Sequence, residues 1–222
     1  MNKLTRKALF TGLVLAGGIG ISASALAFQF PGTGVGAIPD SPGGTPPTYG
    51  TPLVVNFAVA GLASNVSTVA VQIDIAHTWV GDVDVVLAAP GGSPSLVIVS
   101  RIGVTTAGAF GDSSNYNGIY NFVDGTAGTD IWTVATNAGC TSACDITVGD
   151  YRTTGAGGTG QTNPPPITSL VTTFGGLTPA QANGTWTLTF RDGGGGDTGT
   201  VNAATLYVDE PLPVQLQDFS ID

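Results

Sequence analysis

The feature that most limits what this chain can fold into is the shortness of its apolar runs. Between Leu53 and Val208 they alternate apolar with polar residues and are broken every few positions by Gly, Pro, Ser, Asn and Asp. Alternation at period two turns one face of an extended segment toward a core and the other toward water. A helix needs a 3.6-residue rhythm sustained over several turns, which is nowhere found. Val69, Val71, Ile73 and Ile75 follow the alternating rule within VSTVAVQIDIAH and leave Asp74 on the opposite face. LVVNFAV from residue 53, VDVVLAA at 83–89, LVIVSRI at 96–102 and GIYNFV at 118–123 read as further strands. Two more follow: GTWTLTFRD, with Trp186, Leu188 and Phe190 on one face, and TVNAATLYV. The GGGGDTG between them predicts a hairpin-like pairing. TPAQAN at 178–183 is the one helical turn expected, a threonine cap followed by proline. Residues 135–166, with GAGGTG and three successive prolines, read as a long irregular insertion. About eight short antiparallel strands with such turns predict an all-β fold, a jelly-roll-like β-sandwich, as a single domain over 53–208.

The flanks read differently. Lys3, Arg6 and Lys7 precede an apolar run from Ala8 to Ile21, and Ala25-Leu26-Ala27 follows, so residues 1–27 are expected to be a secretory signal peptide and the mature protein to be secreted. That run is too short for a membrane span, and no later one approaches the ~20 residues a span needs. Residues 28–52 are crowded with Gly, Pro, Ser and Thr and predict a flexible leader. The tail, 209–222, places Val214, Leu216 and Phe219 where they could pack on the sandwich as an edge strand; a sorting signal is the alternative.

Beyond the signal peptide only Arg101, Arg152 and Arg191 stand against fifteen acidic residues. Such a surface excludes nucleic acid, whose binding rests on cations placed against phosphate, and suits divalent cations. Cys140 and Cys144 flank Thr-Ser-Ala, and export favours a small disulfide over two free thiols. Zinc is not expected, because two sulfurs and one distant histidine fall short of its usual four ligands.

No catalytic residues are expected. A Ser-His-Asp hydrolase needs a histidine between nucleophile and carboxylate, and the only histidine, His77, ends an alternating strand; no G-x-S-x-G elbow is present. A structural histidine bonded to a neighbouring loop is the expected role. Fourteen aspartates make carboxylate pairs easy to imagine, so spacing identifies no glycosidase pair. The aspartates do gather in loops: Asp82 with Asp84, Asp112 with Asp124, and Asp192 with Asp197 around four glycines. Calcium takes six to eight oxygens from carboxylates and carbonyls, and glycine lets a backbone wrap an ion; aspartates that simply serve turns are the alternative.

Four stretches carry a resemblance: VAVQIDIAHTWVGDVDVVLAAPGG, SLVIVSR, YNFVDGTAG and NGTWTLTFRDGGGGDTGTVNAATLYV. In this order they resemble the P (Homo B) domain of proprotein convertases and bacterial subtilisin-like proteases, over most of residues 53–208. The resemblance implies a galactose-binding-like sandwich that accompanies a protease domain, helps it fold and tunes its calcium and pH response. It implies calcium ligands at Asp82, Asp124, Asp192 and Asp197, with one departure: Gly125 stands where the family often has a second acid. Residues 28–52 are too few for a protease domain, so any proteolytic link is expected to act in trans.

The expected function is that of a secreted, calcium-stabilised, non-enzymatic binding or stabilising module. Loops at one end would present Trp79, Tyr116 and Tyr120 as a ligand surface to a subtilisin-like protease, a cell-surface component or a second copy. Carbohydrate binding or adhesion through those aromatics is the alternative.

Overall fold

The computed structural model describes residues 28–44, 48–125, 128–137, 144–158 and 160–209. The expected signal peptide, Cys140 with its expected disulfide to Cys144, and tail residues 210–222 lie outside these. The strands run β1 (Gln29–Thr33), β2 (Gly36–Ile38), β3 (Leu53–Val59), β4 (Val69–His77), β5 (Val83–Ala88), β6 (Ser95–Ser100), β7 (Tyr116–Phe122), β8 (Thr129–Asp130), β9 (Gly149–Arg152), β10 (Gly184–Asp192) and β11 (Gly199–Val208). Three short helices interrupt them: α1 (Ile131–Asn137), α2 (Leu170–Phe174) and α3 (Pro179–Ala182). The all-β, sandwich-like class holds, and β3 and β10 begin and end where alternation placed them.

One half of the fold runs β6-β5-β10-β3 and the other β11-β4-β7-β9-β8, with β2 added on β11. Their inner faces meet in one core. Val55, Phe57, Leu87, Trp186, Leu188 and Phe190 come from the first half, and Val71, Ile73, Tyr120, Leu206 and Val208 from the second, all essentially inaccessible to water. α2 and α3 stopper one end: Phe174 lies 5.0 Å from the Trp186 ring, and the indole N–H donates to the Ala182 carbonyl at 2.7 Å. Burying one such aromatic contributes roughly 2–3 kcal/mol.

The structure departs from the sequence reading at four places. The flexible leader is in part a structural strand: Gln29–Pro31 of β1 pair with β11, and Gly32 and Thr33 pair with β3, so β1 joins the two halves. Gly and Pro hide the strand from any pattern, because its partners and not its own side chains fix it. The expected β10–β11 hairpin does not form. β10 lies between β3 and β5, and β11 lies against β1, β2 and β4, so Gly193–Thr198 cross from one half to the other. Pairing is not wholly antiparallel, since β9 runs parallel to both β7 and β8. The supposed irregular insertion holds β9 and part of α1. No helix among the described residues is long and apolar enough to cross a membrane.

Candidate functional site

The crossing between the halves brings the ends of β4 and β10 and the start of β5 together at one end of the sandwich. β4 terminates in His77, a tight turn Val80–Asp82 leads into β5, and β10 terminates in Asp192. All three polar side chains are buried, at 2% exposure for His77, 3% for Asp82 and 0% for Asp192.

His77 is fully engaged. Its Nδ1 accepts the Trp79 backbone N–H at 3.2 Å, so Nε2 carries the hydrogen and donates to Asp192 Oδ2 at 3.1 Å. Both ring nitrogens are thus engaged inside the protein, one with the turn after β4 and one with the end of β10. Asp192 Oδ1 accepts the Gly194 N–H at 2.9 Å, which begins the glycine crossing. Asp197, half-buried further along it, accepts from the Thr78 hydroxyl at 2.9 Å.

Asp82 is the anomaly. Its carbonyl accepts the Gly193 N–H, and Arg101 Nη2 stands 3.9 Å from its carboxylate, too far for a hydrogen bond, while Oδ1 has no partner. A side chain on Gly194 would meet that oxygen, since a Cβ there would lie 2.0 Å from it, so the carboxylate faces the bare backbone of the crossing. Burial first, and the Asp192 charge second, push the Asp82 carboxyl up to about 7. Arg101 instead spends its donors on the Gly81 carbonyl at 3.0 Å and the Ala109 carbonyl at 3.3 Å.

The four expected calcium ligands thus divide. Asp82, Asp192 and Asp197 belong to this end, Asp82 sensing the charge of the other two. Asp124 does not join them. Its carboxylate accepts from Ser169 Oγ at 2.8 Å, Leu170 N at 3.1 Å and Val171 N at 2.6 Å, closing the first turn of α2 far along the chain. Gly125 beside it takes a φ of +112°, which disfavours the side chain a second acid would bring. Among the described residues no three His, Cys, Asp or Glu side chains converge closely enough to hold a metal by themselves. A buried carboxylate oxygen without a donor, facing a loop of glycine backbone, nevertheless fits a hard cation that would draw further oxygens from carbonyls.

The aromatic ligand surface is corrected. Tyr116 and Tyr120 are core residues, 3% and 0% exposed, packed edge to face at 5.1 Å, because β7 points them inward. Tyr120 spends its hydroxyl on the Ile146 carbonyl at 2.8 Å. Trp79 is half-buried, and its indole N–H donates to the Phe110 carbonyl at 2.7 Å. That bond fastens the 102–114 loop and presents Phe110 at 74% exposure, an aromatic the sequence reading missed because it sits outside any strand pattern. Beside the acidic end, an open groove of about 520 Å³ is lined by Asp40, Asn115, Asn117, Asp145 and Thr200 among others. Asp145 accepts from Asn117 Nδ2 at 2.7 Å and Asn115 Nδ2 at 3.3 Å.

Neither a curated protein nor a solved structure matches the chain significantly. Residues 66–128 match the family model described as the proprotein convertase P-domain. The match takes in three of the four stretches that carried the resemblance, including His77, Asp82 and Asp124, and ends before β10.

Proposed function

With residues 66–128 identified as proprotein convertase P-domain, we propose that the chain acts outside the cell as a calcium-stabilised accessory module toward a subtilisin-like protease. The P-domain is a non-catalytic accessory fold that goes with subtilisin-like catalytic domains. The chain's one histidine is consumed between Trp79 N and Asp192, which supports a role without chemistry of its own. The observation that carries calcium is the unpartnered, buried Asp82 carboxylate facing the Gly193–Gly196 backbone beside Asp192. An ion bound there only in the folded state raises its stability in proportion to the logarithm of calcium over Kd.

Two measurements test the reading. Melting in excess EDTA against millimolar calcium should differ by several degrees, and coincident curves would remove the calcium role. A purified subtilisin-like protease should gain heat resistance on mixing with the module, and no change in its inactivation rate would remove the accessory role.

A second reading, glycan binding, rests on the polar groove and no longer on the aromatics. Its paired amides and carboxylates are the groups that hydrogen-bond sugar hydroxyls. Glycan-array binding that disappears on Asp145→Ala would favour it over the protease.

A further inference from the structure

A second cavity, about 350 Å³, opens between β6 and α2, lined by Leu96, Arg152, Ile167, Thr168 and Thr172 among others. Three observations meet there. β6 ends its half of the fold and pairs only with β5, so its outer edge offers backbone groups, of which the Ile98 carbonyl already accepts an N–H from Thr154. The cavity wall carries apolar surface in water: Ile167 is 48% exposed, and Leu96 stands beside it in the lining. Arg152 has no carboxylate within salt-bridge distance among the described residues, in a chain where acids outnumber bases fifteen to six. The comparison with the other arginines is instructive. Arg101 stands beside Asp82, and Arg191 faces Tyr49 and lies opposite Asp84 in the β10–β5 register. Arg152 lies opposite Asp130 in the β8–β9 register, but the Asp130 carboxylate is taken by Trp132 N at 3.0 Å and Thr133 Oγ1 at 2.7 Å. Arg152 donates Nη1 to the Gly125 carbonyl at 3.0 Å, and its buried Nε is left without an acceptor. Arg152 lines the cavity with no carboxylate of the described residues in salt-bridge distance, and an acid entering the cavity would pair with the guanidinium there.

A strand edge, an apolar rim and a cation short of an anion together suit an extended acidic peptide. We propose that this groove seats the chain's own segment 210–222, with Asp218 on Arg152. The path is short. Asp209 is pinned by Ser67 N, Ser67 Oγ and Thr68 N, and the adjacent Val66 is bonded to Gly176 and Leu177, directly beyond α2, which forms the groove wall. Glu-Pro-Leu-Pro at 210–213 spans about 12 Å when extended at ~3.1 Å per residue. After it, Val214, Leu216 and Asp218 share one face at period two, two apolar side chains for the rim and then the acid. The proposal is independent of the calcium and protease readings.

Limited proteolysis of the mature chain, residues 28–222, with mass spectrometry of the released fragments tests it. Cleavage within 213–222 should be at least tenfold slower than in the free synthetic peptide of the same sequence. Arg152→Gln and, separately, Asp218→Asn should each restore most of that rate; the second alters no residue of the sandwich and leaves the Arg152 bond to the Gly125 carbonyl in place. The exchange Arg152→Glu with Asp218→Arg should recover protection. A segment cut as fast in the wild-type chain as in the free peptide, or protection insensitive to Asp218→Asn, overturns the proposal. So does protection that fades on dilution, which would place the segment in the groove of a second copy.

Discussion

Asp124 and Asp82 sit within one matched segment, both in turns that follow or precede strands, and the fold treats them in opposite ways. The Asp124 carboxylate collects three donors from Ser169, Leu170 and Val171. Asp82 is buried more deeply and leaves Oδ1 with none. Carboxylate count and loop position do not tell whether the fold itself satisfies a buried acid; the donors each oxygen receives do.

The sharpest way to break that contrast is to remove the residue between the two cases. Asp192 is buried like Asp82 but filled like Asp124, so Asp192→Ala strands the His77 Nε2–H and the Gly194 N–H and should cost roughly 3–5 kcal/mol, read from urea unfolding. Asp82 should respond to pH instead. Its folded value is raised from 3.8 to about 7, so between those limits the folded chain keeps a proton that the unfolded chain has lost. In EDTA the stabilisation is therefore complete below about pH 4 and is lost as pH rises through 7, by up to ~4 kcal/mol. Asp82→Asn should flatten that profile and abolish the gain from added calcium; a wild-type profile already flat in EDTA would mean the carboxylate is satisfied after all. Asp124→Ala should cost about 1–2 kcal/mol at any calcium concentration, as loss of a helix cap does. If its cost grows with calcium, Asp124 is a ligand and the contrast fails. Smallest of all, Phe110→Ser should shift stability by less than about 0.5 kcal/mol, since the side chain is largely in water.

The same contrast marks how far the sequence could be read. Period-two alternation located β3, β4, β5 and β10 because each buries one face, and burial is written into every second residue. Pairing partners are not so written. Gly193–Gly196 looks like a hairpin loop, yet Asp192 is held by His77 and the crossing runs to the other half. β1 was illegible because Gly32 and Pro31 give no face, and α1 because Ile131–Asn137 is too short to show a helical period. Within the site, clustering of Asp82 with Asp192 and Asp197 could be anticipated from glycine-flanked loops, whereas the exile of Asp124 could not. That depends on α2 arriving forty-odd residues later with three open donors. The orientation of Tyr116 and Tyr120 was half visible, since residues four apart on a strand share a face, but which face was inward needed the partner strands.

The position of β1 carries a consequence for how the chain must assemble. Phe30 pairs with Leu206 and Gly32 with Phe57, so the earliest strand is sealed only when the last one is present. Contacts between such distant stretches slow folding, and here they also postpone it until synthesis is almost finished. Bulk packed against Phe28 would therefore disturb the closing of β1 and leave the other strands of the described residues free to form.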